Sequence, residues 1–428
     1  MDRPITGGAL KVTASVIVVD STTILRDAAI LVRGGIVSQV APAISLKDAK
    51  ADKVVHLPGH VLHPGFINVH SHLELSYMQG KLTPGAPFTE WIKELISLRM
   101  KTKDSTIKAS IAKGVRRLVA TGTTCVGDVS QTGLTAPALT GKGLRSVVFH
   151  EVLGLDPSLA GERFEGLALA VEAGGAFGAG VHGGMTRHGV APHAVYSTSP
   201  ALMRMAARYA AKNRMPVSIH LAETPEEHEF CRHGRGPFKQ FLLSIGQYQR
   251  EWAPGKRPTA AVADTGALEG ALVAHFNHPT RGDIAMLKKT GASVAFCPNS
   301  NRWFGRKVDH PLPELIRRGV TVGLGTDSLA SNADLDMREE MRSVMKMYPV
   351  IGARGVFHMA TRGGAMALGY EHSSPGTQAL GTLVSGAPFD AAAIKLKIGP
   401  GQDPWRSIIE ARGNYHKIWV DGRPIRAK

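Results

Sequence analysis

Two histidines one residue apart, His70 and His72, close an apolar run that begins at Pro64-Gly65-Phe66. In an extended strand alternate side chains share a face, so both imidazoles leave the strand end in one direction, as a pair of metal ligands would. The pair alone says little, because with 18 histidines in 428 residues a His-x-His arises by chance about once. Other polar residues stand in comparable places: His193 after Ala191-Pro192, His220 and Glu223 in His220-Leu221-Ala222-Glu223, His275 on an apolar run, and Asp327 closing Gly325-Thr326-Asp327. Each has a plain structural reading. His193 or His275 can be a hydrogen-bonded core histidine, Glu223 an acid at a helix start, and Asp327 a turn residue. Taken together they read differently: three neutral imidazoles and one carboxylate satisfy a single Zn2+ or Fe2+ and leave a position for water. Such an ion brings the pKa of water toward about 7, and Glu223, three residues beyond His220, is placed to shuttle a proton without being a ligand.

These residues meet only if the strands that carry them end on one side. The chain between residues 64 and 380 alternates apolar runs with helical stretches, the pattern of repeated βα units around a parallel sheet. After the His70 strand, further strands are predicted at Thr123–Val129, Ser146–Val152, Gly189–Ser197, Pro216–Glu223, Ala271–His278, Ser293–Pro298 and Thr321–Asp327. With the first they number eight, enough to close a (β/α)8 TIM-like barrel whose C-terminal mouth collects every residue named above. Helices are predicted at Asp104–Ala120, Pro200–Asn213, Pro237–Ile245, Asp283–Thr290 and Leu312–Arg318. The Gly/Ala-rich stretch from Gly154 to Arg187 gives no clear element. Short strands at both ends, Ala14–Asp20, Ala29–Val32, Ile36–Val40, Val54–Leu57, Ala391–Ile398 and Lys417–Val420, predict a small β-sandwich domain built from residues 1–63 and 381–428, flanking the catalytic barrel of residues 64–380.

Composition excludes several classes. Hydrophobic residues at 43% and charged residues at 20% describe a soluble globular chain. The three cysteines, Cys125, Cys231 and Cys297, form no CxxC pair, which points away from disulfides and zinc knuckles and toward a reducing cytoplasm. No secretory signal or membrane-length apolar run is present. The net charge of +16 is spread along the chain, which points away from nucleic acid and toward an anionic substrate or simple solubility.

The ordered set Pro64-Gly65-Phe66-Ile67-Asn68-Val69-His70-Ser71-His72, Ala191-Pro192-His193, His220-Leu221-Ala222-Glu223-Thr224 and Gly325-Thr326-Asp327-Ser328 with Ser331-Asn332 resembles the amidohydrolase superfamily. Within it, the set is similar to the mononuclear deaminase and chlorohydrolase branch, over nearly the whole chain. The resemblance implies that His70, His72, His220 and Asp327 hold one metal ion and that Asp327 also accepts the proton of the attacking water. It further implies that Glu223 protonates a ring nitrogen, His275 orients the attacking oxygen and His193 contacts the substrate ring. Trp91, in Phe88-Thr89-Glu90-Trp91, resembles the family's segment that covers the substrate. A homo-oligomer is implied as well.

Departures narrow the reading. The fourth strand ends in Ala191-Pro192-His193 with no lysine to bridge two metals, which favours one. Adenosylhomocysteine-type deaminases carry a glutamate one helical stretch beyond the tryptophan, where this chain has Arg99 and Met100, with Glu94 nearer. Arg99 and Arg302, the latter in the bulky Arg302-Trp303-Phe304, could together meet a substrate carboxylate by bidentate bonds, although either could be a solvated loop arginine. Gly386-Ala387-Pro388-Phe389-Asp390 also departs from the family, with no catalytic consequence expected. The pattern is most similar to the aminodeoxyfutalosine deaminases. The expectation is therefore a metal-dependent hydrolytic deaminase of an aminated heteroaromatic ring, an adenine nucleoside first. Displacement of chloride or another group from a triazine-like or pterin-like ring, and a non-catalytic ligand-binding barrel, are the alternatives.

Overall fold

The computed structural model describes residues 8–174, 185–248, 255–307, 309–370 and 380–427. The N-terminal strands are β1 (Ala9–Val18), β2 (Ile24–Arg33), β3 (Ile36–Pro42) and β4 (Lys53–Pro64). The barrel strands follow as β5 (Phe66–Ser71), β6 (Thr123–Ser130), β7 (Arg145–Val152), β8 (Thr186–Pro192), β9 (Ser218–Leu221), β10 (Leu272–His275), β11 (Ser293–Phe296) and β12 (Val322–Leu324). The chain ends in β13 (Ala391–Lys395), β14 (Lys417–Val420) and β15 (Arg423–Ile425).

Strands β5 to β8 pair in order and in parallel, as do β9 to β12. Two narrow seams join these halves. At one, Val190 bridges Val217 in parallel, and the His220 amide donates to His193 O at 2.8 Å. At the other, Ser71 bridges Asp327 in parallel, and the Asp327 amide donates to His70 O at 3.0 Å. The ring of eight strands is thereby closed, and both seams lie beside residues expected in the site. Ile67, Val69, Cys125, Val129, Val147, Phe149, Ala191, Leu272 and Ala295 pack inside the ring. Gly127 makes room for this packing: a Cβ there would stand 2.4 Å from Val69 O, so the second strand can pass the first only without a side chain.

Helices cover the outside as their apolar spacing requires. Ile107, Ile111, Val115 and Leu118 of the helix Asp104–Ala120 are all at most 2% exposed. Helices at Pro200–Asn213, Pro237–Ser244, Arg281–Thr290 and Leu312–Arg317 stand within two residues of their expected bounds. The Gly/Ala-rich stretch contains a helix, Ala160–Ala173. Gly161 and Gly166 interrupt its pattern, and only Ala160, Leu167 and Val171 are buried, so its period is faint. Residues 175–184 of that stretch lie outside the described ones.

The terminal strands form one mixed sheet in the order β15-β14-β13-β4-β1-β2-β3, in which only β1 and β4 pair in parallel. Its edges approach each other, since a Cβ on Gly422 would lie 2.8 Å from Gly35 Cα and Ile36 bridges Pro388. The curled sheet encloses its own core of Val12, Ile17, Ile30, Leu57, Phe389 and Trp419, sandwich fashion. Arg145 of β7 bonds Asp390 at 2.8 Å in a buried pair, so the aspartate in the departing Gly386–Asp390 segment anchors barrel to sheet. Among the described residues no helix is long and apolar enough to cross a membrane.

Candidate active site

The barrel strands stop abruptly where the polar residues begin. Of the seven non-glycine residues with positive φ among those described, Ala222 (51°), His275 (70°), Phe276 (53°) and Asp327 (57°) sit at strand ends on the mouth. A left-handed conformation costs an ordinary residue about 1–2 kcal/mol, and such outliers collect where the fold aims side chains at a site. This explains why β9, β10 and β12 end short of their expected limits.

Five histidines share the mouth. Ring centroids lie 4.9 Å apart for His70 and His72 and for His70 and His220, 5.4 Å for His220 and His275, and 4.6 Å for His193 and His220. His72 Nε2 and His220 Nε2 face each other at 3.3 Å. Two ligands about 2.05 Å from one ion at a tetrahedral angle stand about 3.3 Å apart, so this spacing suits a shared cation. Asp327 Oδ1 lies 3.7 Å from His70 Nε2 and 3.8 Å from His72 Nε2. Both ring nitrogens of His70 are buried without a hydrogen-bond partner, an arrangement that is costly unless a ligand takes one of them.

Electrostatics agree with the geometry. Burial, reinforced by neighbouring imidazoles, holds His70, His72 and His220 below the ordinary histidine range, so their lone pairs are available. Burial alone would raise the Asp327 carboxyl, but His275, His70, His72 and the Ser300 hydroxyl together bring it well below the usual carboxylate range. Ser300 and Ser331 donate to Asp327 Oδ2 at 2.7 and 2.8 Å, leaving Oδ1 toward the histidines. Asn68 accepts the Thr326 amide and donates to Thr326 Oγ1 at 2.7 Å, tying the first strand to the eighth.

Glu223 is buried at the mouth with Oε2 3.9 Å from His275 Nε2. Its backbone is held by Glu227, whose two oxygens accept the amides of Ala222 at 3.0 Å and Glu223 at 2.8 Å. His193 Nδ1 lies 2.6 Å from Ser197 Oγ and its Nε2 4.0 Å from Glu151; burial brings His193 down to about 3. Trp91 donates to Ala330 O at 3.2 Å, stacks on Phe88 and meets Phe304 edge-on, so the helix Phe88–Met100 is fastened to the loop after Asp327. Arg99 lies eight residues beyond Trp91, about 12 Å along that helix, with its charge beside Tyr77. Arg302 is exposed and lines a cavity with Arg306 and Lys346, whose lining does not include Arg99.

Three mouth residues escaped the sequence. Arg306 donates to Glu223 Oε1 at 3.0 Å; it lies on the loop that follows the helix Pro298–Trp303 and carries no motif. Glu151 had no motif to mark it, and Glu227, although it closes the stretch His220–Glu227 and follows Glu223 at i+4, was given no role. Either His70, His72 and His220 or His70, His275 and Asp327 could hold a cation, as could Glu151, His193 and His220. The first two groups share His70, and Asp327 Oδ1 stands within 3.8 Å of both His70 and His72, so they form one candidate centre beside the Glu223 carboxyl.

Comparison with known proteins places this constellation. The model of the amidohydrolase family matches residues 61–425. The chain is 29% identical over 403 residues to a 5-methylthioadenosine/S-adenosylhomocysteine deaminase of Nitratidesulfovibrio vulgaris, covering 91% of this chain and 84% of that one. Among solved structures, the Helicobacter pylori aminofutalosine deaminase in complex with methylthio-coformycin superposes with a TM-score of 0.83 at 20% identity, covering 97% of this chain and 99% of that one. An adenosine deaminase from Xanthomonas campestris with bound zinc gives a TM-score of 0.79 at 23% identity, covering 97% and 92%. The closed parallel ring, the curled terminal sheet and the histidine-rich mouth are thus those of a barrel hydrolase, and the chain belongs to the amidohydrolase family.

Proposed function

We propose that the protein is a metal-dependent hydrolytic deaminase of an adenine nucleoside-like substrate. The observation that carries this reading is the convergence of His70, His72, His220 and Asp327 on one point of the mouth, with Glu223 alongside. A divalent ion held by those four side chains, zinc being the one bound in the adenosine deaminase of like fold, supplies the Lewis acidity that lets water ionise near neutral pH.

The remaining steps belong to the chain. Asp327, with Oδ2 fixed by two serine hydroxyls, accepts the proton of the attacking water at Oδ1. His275 orients the attacking oxygen. Glu223 gives its proton to the ring nitrogen beside the reacting carbon, which makes that carbon electrophilic. Collapse then expels the amino group, which takes the proton held on Asp327 and leaves as ammonia, while the hydroxyl proton of the adduct returns to Glu223 and the ring carbon becomes the carbonyl. His193 contacts the ring, and Trp91 with Phe88 and Phe304 closes the apolar wall above it. Both the adenine ring and the deaminase reading are supported by the names of the relatives.

Ammonia release from adenosine, 5-methylthioadenosine, S-adenosylhomocysteine and aminodeoxyfutalosine by zinc-loaded protein tests this reading; release from none of them would refute it. The homo-oligomer is likewise a proposal, supported by exposed apolar side chains such as Met100 (82% exposed) and Val350 (82%), and sedimentation tests it.

A further inference from the structure

Arg306 is unlike the other cations of the mouth. Its guanidinium packs over Phe304 at 4.1 Å and Phe88 at 4.9 Å, and Nη1 donates to Glu223 Oε1 at 3.0 Å. Nη2 is buried with no partner. An arginine fork presents donors in a fixed plane that matches the oxygens of carboxylate or phosphate, and a buried donor left unmade is costly. One half of this fork is occupied by a carboxylate and the other half is free.

Arg306 also lines a cavity with Arg302, Lys346, Asn301, Ser343 and an apolar floor that includes Phe296. Three of the lining side chains are cationic and none is a carboxylate. The neighbouring His310, also in the lining, is kept neutral, since burial brings it down to about 3. An acid that must carry a proton to a ring works best when no guanidinium is bonded to it. The contact between Arg306 and Glu223 therefore marks a resting arrangement that something must relieve.

We propose that Arg302, Arg306 and Lys346 form an anion subsite for a carboxylate or phosphate oxygen, and that filling it draws Arg306 off Glu223 and frees the acid for the ring. The link to turnover rests on the role given to Glu223 above, whereas the subsite itself does not. The anion is either a substituent of the substrate or a free small ion, since both present the same oxygens.

The test uses zinc-loaded protein and inorganic phosphate, followed by calorimetry, in the wild type and in the double variant Arg302→Met/Lys346→Met. Phosphate binding should weaken about tenfold in the variant, the size expected for removing two partly screened charges. Turnover of adenosine with and without phosphate, and of adenosine 5′-monophosphate, then separates the sources. Acceleration of adenosine by phosphate assigns the subsite to a free anion; preference for the monophosphate, with phosphate competing, assigns it to the substrate. Equal phosphate affinity in both proteins overturns the subsite, as does absence of phosphate binding together with equal turnover of the two nucleosides. Phosphate binding with no effect on turnover and no preference for the monophosphate overturns the link to Glu223. Calorimetry needs no turnover, so failure of the deaminase reading would leave the subsite measurable.

Discussion

Glu227 is given no chemical step in the proposed reaction, yet the proposed acid, Glu223, hangs from it. Its two oxygens accept the amides of Ala222 and Glu223 at 3.0 and 2.8 Å, and it is wholly buried. Ala222 is held at a φ of 51°, which costs about 1–2 kcal/mol in an ordinary residue. In Glu227→Gln one oxygen remains to accept one amide, while the new NH2 group opposes the other. Burial pushes the Glu227 carboxyl up to about 8, so the cost is that of a buried amide left unmade, about 1–3 kcal/mol, and unfolding in urea should show a loss of about 2 kcal/mol. The free amide lets residues 222 and 223 relax, and a displacement of about 1 Å at a reacting group can cost about a hundredfold. Turnover per bound metal should accordingly fall between about tenfold and a hundredfold, with KM little changed and metal content intact. Stability within about 0.5 kcal/mol of wild type and turnover within about twofold would refute the claim that Glu227 positions Glu223.

Glu223→Gln preserves size but carries no transferable proton, so deamination should fall by about 10²–10⁴ with metal retained; near-normal turnover would favour displacement of a leaving group that needs no proton. A Cβ on Gly325 would lie 2.8 Å from His70 Cβ and 3.0 Å from Cys297 Sγ. Gly325→Ala should therefore displace His70 and weaken zinc about tenfold in a chelator competition, and unchanged affinity would count against His70 as a ligand. His63, buried between Pro64 O at 2.7 Å and Tyr415 Oη at 2.8 Å, is brought by burial from 6.5 to about 4. The unfolded chain thus takes up this proton first, and the contribution of His63, complete above pH 6.5, is lost as pH falls toward 4, by about 3 kcal/mol. The stability difference between wild type and His63→Gln should shrink over that window, and a flat difference would contradict the assignment.

Much of the architecture was legible because periodicity and burial coincide. Ile107, Ile111, Val115 and Leu118 face the core as their spacing requires, and barrel strands carry consecutive apolar residues, as in Val147-Val148-Phe149, since both faces are covered. The histidine pair was readable for the same reason: β5 is extended up to Ser71, so alternation carries His70 and His72 to one place. The helix Gly352–Met359 and the short Arg362–Ala367 were missed because they are glycine-rich and take their stability from packing rather than propensity. Arg306 and Glu151 could not be read because nothing local gives them a role. Arg306 acquires one only when the loop after β11 folds over β9, and Glu151 only when β7 is set beside β8. In Gly386–Asp390 the departure is Pro388-Phe389, whereas the structural part is played by the aspartate that follows, whose pairing with Arg145 joins sheet to barrel and has no local signal.

A water-activating metal centre and Glu223 as acid are the two halves of the proposed reaction, and one measurement joins them most directly. Protein stripped with a chelator and reloaded with one equivalent of zinc should release ammonia from an adenine nucleoside in proportion to bound zinc, with activity saturating at one ion per chain. Full activity in the stripped protein, or stoichiometric zinc binding with no ammonia from any adenine nucleoside, would contradict it.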